Sequence, residues 1–170
     1  MRLGIVVPIA AVCAAGAVFG AGALASGQPT SGASASQDAG SLERRALFAV
    51  LTGRKEIGED GRRGAGDPDG RGSFTATIDG NELCFGITVK NVDAPGAAHI
   101  HKGRARQNGA IVVPLVHPEQ GDPGASAGCV RVAEELAQAI LEHPRRYYAN
   151  VHTAAFDAGA VRGQLFRRSR

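Results

Sequence analysis

Between Phe74 and Val89 apolar and polar residues alternate almost without a break, and a period of two cannot be accommodated by a helix. Phe74, Ala76 and Ile78 fall on one side. Asp79-Gly80-Asn81 supplies tight-turn chemistry, and Leu83, Phe85, Ile87 and Val89 then alternate with Cys84, Gly86, Thr88 and Lys90. Successive strand residues point to opposite faces, so this stretch is a β-hairpin with one face committed to a core. Cys84 belongs to the other face.

The rest of the chain supplies further segments of strand length. Ala46–Thr52 is a dense apolar run ended by Gly53, and Ile111–Val116 is another, in which Pro114 marks an edge or a strand end. Gly103–Gly109 between them reads as a basic loop with Asn108-Gly109 as a hairpin-type turn. Cys129–Val132 is a short extended piece; Tyr147–Thr153 and Ala160–Phe166 complete the set. One helix is predicted over Glu134–Glu142, where Leu136 and Ile140 are four apart, Leu141 widens the stripe and Pro144 stops it. With 24 glycines and 5% aromatics, turns dominate over long helices. The chain is therefore all-β: an antiparallel β-sandwich or Greek-key barrel of about eight strands with one short helix.

The segments before this domain have a different character. An uninterrupted apolar run follows Arg2, and Ala23-Leu24-Ala25 has the small-x-small form read by signal peptidase. Residues 1–25 are thus read as a secretory signal, residues 26–45 as a flexible linker of small and polar residues, and residues 46–168 as the folded domain. Once the leader is removed no membrane span is expected. Cleavage also removes Cys13 and leaves Cys84 with Cys129, an even count that in an oxidising compartment points to one disulfide. The net charge of +3 comes from scattered cations, so no basic patch for nucleic acid is expected. Asp67-Pro68-Asp69-Gly70 is read as a turn, because no acidic residue closes a calcium loop at the required spacing.

Two stretches carry the chemistry. His99-Ile100-His101 puts two imidazoles on one strand face, and Tyr147–Thr153 puts Tyr148, Asn150 and His152 on one face. Arg162 and Gln164 share a face of the last strand. If these strands are neighbours, His99, His101, Tyr148, Asn150, His152, Arg162 and Gln164 form a single polar face. On it the imidazoles of His99, His101 and His152 either fix strand register through hydrogen bonds or converge on a Zn²⁺ or Cu²⁺ ion. Nucleophilic catalysis has no support: there is no Gly-x-Ser-x-Gly turn, and no catalytic residue is assigned.

These motifs, together with Leu51-Thr52-Gly53-x-x-Glu56, Gly66-Asp67-Pro68-Asp69-Gly70, Asn108-Gly109 and Gly159-Ala160-Val161-Arg162-Gly163-Gln164-Leu165, resemble those of chordin-type (CHRD) domains. The resemblance runs from about Leu47 to Phe166, and it implies a β fold and export but no reaction. The first functional reading is a secreted or envelope-associated, non-enzymatic module. Such a module binds an extracellular protein, a glycan or an envelope component through the polar face and needs no cofactor. The second is an extracellular copper- or zinc-dependent enzyme. Its His-x-His strand is similar to the copper-ligand strand of copper–zinc superoxide dismutases, although their remaining histidines and zinc-loop aspartate are not matched. N-terminal sequencing of exported protein is expected to begin at Ser26, and an intact Met1 would overturn the cleaved-leader reading.

Overall fold

The computed structural model describes residues 46–168. Eight strands form one antiparallel sheet: β1 (Ala46–Thr52), β2 (Arg71–Asp79), β3 (Glu82–Lys90), β4 (Pro95–Lys102), β5 (Ile111–Leu115), β6 (Gly124–Arg131), β7 (Tyr147–Thr153) and β8 (Val161–Gln164). Their spatial order is β5-β4-β7-β8-β1-β2-β3-β6. The sheet curls into a nearly closed barrel rather than splitting into a sandwich. Its two end strands are linked at the seam, where Ser126 Oγ donates to the Val116 carbonyl at 2.7 Å. Pro114 lies on β5, an end strand of the sheet, where its missing N–H breaks no ladder on the open side.

The predicted hairpin is β2–β3. Asp79 pairs with Glu82 across a two-residue turn in which Gly80 has φ +56°, a conformation that glycine adopts without steric cost. The inward residues of β1, β2 and β3 are those the alternation assigns: Leu47, Ala49, Leu51, Phe74, Ala76, Ile78, Leu83, Phe85, Ile87 and Val89 are all buried. From the other half of the sheet Ala98, Ile100, Ala149, Val151, Val161 and Leu165 complete the core. The helix α1 (Glu134–Glu142) closes one side of it, most deeply through Ala137 and Ile140.

Two expectations change. The third-from-last strand is not the short Cys129–Val132 piece but β6, Gly124–Arg131, because β3 templates it along its whole length from Val89↔Gly124 to Glu82↔Arg131. Asn108-Gly109 is not a primed hairpin turn: neither residue has a positive φ, and the chain between β4 and β5 is a longer loop with Arg106 at φ +68°. Of the two all-β forms expected, sandwich or Greek-key barrel, the sheet takes the barrel-like one, since every strand belongs to one continuous ladder. The expected leader and linker lie outside the described residues. Within those residues no helix is long and apolar enough to cross a membrane.

Cys84 and Cys129 face each other across the β3–β6 ladder and are joined in a disulfide. Both stand on the outer side of the sheet, since Leu83 and Phe85 point inward. The bond ties the β2–β3 hairpin to the end strand β6 across 45 residues, a loop whose closure in the unfolded chain is worth roughly 4 kcal/mol. Replacing both cysteines by alanine is expected to lower the urea midpoint by an amount equivalent to roughly 2–4 kcal/mol, and an unchanged midpoint would contradict this role.

Candidate metal centre and polar face

The strands that carry the polar residues are adjacent. β7 lies between β4 and β8, with His99 opposite Asn150, His101 opposite Tyr148, Asn150 opposite Arg162 and Tyr148 opposite Gln164. His152 stands opposite Ala97 on the same face. All seven residues therefore project from one side of three neighbouring strands, away from the side that carries Ala98, Ile100, Ala149 and Val151 into the core. The face lies outside the barrel. It is nonetheless sheltered, because the loops after β1 and after β4 fold over it.

Arg162 and Gln164 hold one of those loops down. Arg162 is only 2% exposed. Its guanidinium donates to Asn108 Oδ1 (3.0 Å), the Gln107 carbonyl (2.6 Å) and the Arg104 carbonyl (3.2 Å). Gln164 Nε2 donates to the carbonyls of Gly103, Arg145 and Tyr147. Asn108 passes the connection on: its Nδ2 donates to the Ile57 carbonyl at 2.9 Å, which joins the two covering loops. Tyr148 packs between Arg162, whose guanidinium carbon sits 3.4 Å from the ring centroid, and His101, stacked at 4.7 Å with 7° between planes. These three residues shape the site more than they offer free groups to a ligand.

The histidines are differently placed. One ring nitrogen from each of His99, His101 and His152 lies within 4.8 Å of the other two. His99 Nδ1 and His152 Nε2 are 3.2 Å apart. His101 Nδ1 lies 2.9 Å from the Gly109 carbonyl and His152 Nδ1 lies 2.8 Å from the Asp157 carbonyl. A carbonyl only accepts, so each of these Nδ1 atoms carries the proton and each Nε2 presents a lone pair. Among the described residues two buried polar atoms of this face have no hydrogen-bond partner, His101 Nε2 and Asn150 Oδ1. An orphaned buried acceptor is costly and calls for a partner.

The charges of the rings follow from the same enclosure. His99 is pushed down to about 4, first by burial and then by its neighbours His152 and His101. Burial also lowers His101, with a smaller opposing contribution from the Gly109 hydrogen bond and further lowering by His152 and Arg162. Both rings are neutral at pH 7, the form that donates a lone pair to a metal and the form that makes a poor general acid. Among the described residues no carboxylate or thiolate joins this group. Three imidazoles placed in this way suit Zn²⁺ or Cu²⁺, whereas calcium and magnesium need oxygen ligands. For a tetrahedral ion with bonds of about 2.1 Å the nitrogens stand about 3.4 Å apart. One pair, at 3.2 Å, is close to that separation, and the third nitrogen lies within 4.8 Å of both.

Asn150 forms the centre of the face, and its partner was not foreseen. Its Nδ2 donates to Glu56 Oε1 at 2.6 Å, and Glu56 is 3% exposed. Gly159 lies against this pair at φ +144°, where a Cβ would meet Asn150 Nδ2 and Glu56 Oε1 at 2.6 and 2.7 Å. Glu56, Asn108 and Gly159 all stand in motifs quoted above, but no spacing rule links a loop glutamate to an asparagine 94 residues away. Burial raises the Glu56 carboxyl to about 8 against smaller lowering by Arg162 and a main-chain hydrogen bond, so it is mostly protonated at neutral pH. His117, by contrast, stays apart from the cluster and bonds the Pro118 carbonyl through Nδ1.

The model of the CHRD domain family matches residues 47–165, a span that includes every strand of the barrel and all the residues of the face. No curated protein matches the chain.

The folded Glu56 carboxyl holds its proton up to about 8 and an ordinary one releases it near 4.5, so this group favours the fold below pH 4.5. That contribution, on the order of a few kcal/mol, is lost as pH rises towards 8. Glu56→Gln keeps the acceptor for Asn150 and removes the titration. Its stability relative to the parent, measured by urea unfolding, is expected to rise steadily from pH 5 to pH 8; a difference that stays constant with pH would refute the assignment.

Proposed function

The chain belongs to the CHRD domain family, and on that basis we propose that it is a secreted, non-enzymatic binding module whose polar face holds a copper or zinc ion through His99, His101 and His152. The observation that carries this reading is the preset state of the ring nitrogens. Two rings have their Nδ1 protons committed to main-chain carbonyls, which leaves the Nε2 lone pairs of His101 and His152 beside His99, and the first of them is buried without a partner. Outer-shell bonds of this kind orient metal-binding imidazoles and fix their tautomer.

Export is supported by the apolar leader, by the disulfide and by the extracellular type of CHRD domains. The non-enzymatic reading is supported by what surrounds the cluster. His99 and His101 are neutral, the described cysteines are paired, and Arg162 and Gln164 are occupied in holding loops. A paired-metal oxidoreductase of the superoxide dismutase kind has less support, since no aspartate joins the histidines among the described residues.

Elemental analysis of protein purified without a histidine tag is expected to find one equivalent of copper or zinc, and His101→Ala or His152→Ala is expected to abolish it with the far-ultraviolet spectrum unchanged. Adding the metal at a hundredfold excess over its Kd to stripped protein is expected to stabilise the fold by about 2.7 kcal/mol, a rise of several degrees in Tm. Metal-free protein whose Tm ignores both ions would overturn the proposal.

A further inference from the structure

A second feature opens on the far side of Arg162, and the histidines play no part in it. It is a cavity of about 480 Å³ beside β8 and β1. Lys55, Arg63, Arg106 and Arg145 line it, and the three arginines are exposed. No acidic residue is among the lining, and none of these four cations is ion-paired among the described residues. The neighbouring Arg62 does have a carboxylate, that of Asp60 at 3.5 Å. The accessible apolar part of the lining is formed by Val50, Ala105 and Phe166, with Val50 left 55% exposed, whereas Leu165 at the wall is fully buried.

Gathering cations at one cavity without counter-charge costs free energy that an anion would offset. Lys55 shows the strain: burial and then Arg63 lower its affinity for a proton, and its Nζ turns to the Val50 carbonyl at 2.6 Å. A bare inorganic anion would leave the Val50 and Phe166 surfaces in water. A nucleic acid would want several aromatic platforms, and the lining has one aromatic ring. The combination of guanidinium groups with an exposed apolar floor favours a ligand that has both characters.

We propose that this cavity binds a small organic acid, with its carboxylate among Lys55, Arg63, Arg106 and Arg145 and its aliphatic body against Val50 and Phe166. The volume is that of an ordinary small-molecule site. The proposal stands whether or not the histidines hold a metal.

Titration of the exported protein with octanoate, below the concentration at which it self-associates, tests this by calorimetry and by amide chemical shifts. Saturable one-site binding is expected, with shifts at Val50, Arg106 and Phe166, and octylamine is expected to leave these signals in place. The surface double variant Arg106→Glu/Arg145→Glu is expected to weaken octanoate at least tenfold without changing Tm. The proposal fails if octylamine binds as tightly as octanoate, if acetate does so and the apolar body is therefore idle, if the charge reversal has no effect, or if octanoate does not saturate.

Discussion

A single buried guanidinium organises the outer face of this barrel. Arg162 leaves β8 on the side away from the core, yet it is almost wholly enclosed, because it donates to three oxygens of the loop after β4 and lies against the ring of Tyr148. Arginine stays charged in such a place, and its planar fork suits several carbonyl acceptors at once. Glu56, though close enough to act on it electrostatically, is mostly protonated at neutral pH. The charge is therefore met chiefly by main-chain and amide dipoles and by the face of an aromatic ring.

What Arg162 fixes is passed on to the histidines. It pins Asn108 and Gln107; Gly109 next to them supplies the carbonyl that takes the His101 Nδ1 proton. Gly109 also donates to the Tyr148 hydroxyl at 3.3 Å, and the Tyr148 ring stacks on His101. The tautomer and the plane of His101 are thus set by a loop held in position from a neighbouring strand. His152 is set in the same way by the Asp157 carbonyl, just beyond its own strand. Preorganisation of this kind places lone pairs in advance, and the burial that keeps His99 and His101 neutral reinforces it.

The sheet separates two kinds of work. Its inner side is apolar and closely filled, with Ile100, Val151, Val161 and Leu165 essentially without exposure. Its outer side over β4, β7 and β8 holds the polar network, roofed by loops rather than by another sheet. At one margin of that roof stand the histidines, and at the other stand the arginines around the cavity beside β8. The cations that look scattered along the sequence come together there because three separate segments, the β1–β2 connection (residues 55 and 63), the β4–β5 loop (106) and the turn before β7 (145), meet at the cavity.

How much could be read without coordinates follows from the range of each signal. Alternation is a local property, so the inward sets of β2 and β3, the shared face of His99 with His101 and that of Tyr148, Asn150 and His152 were all legible, as were the helix bounds at Glu134 and Glu142. The disulfide was legible from the even pair that Cys84 and Cys129 make when the expected leader, with Cys13, is set aside. The extent of β6 was not, because a strand of Gly, Ala and Ser shows no pattern until β3 lies beside it. Nor was the true form of the Asn108-Gly109 segment, whose conformation is set by Arg162 and Ile57 rather than by its own turn chemistry. Sequence alone determined which side of each strand is polar, since that depends on a repeat of two residues. Only the tertiary structure decided that β4, β7 and β8 are neighbours, that Glu56 reaches Asn150, and which imidazole nitrogens are left with lone pairs, because each depends on contacts between segments whose spacing along the chain carries no signal.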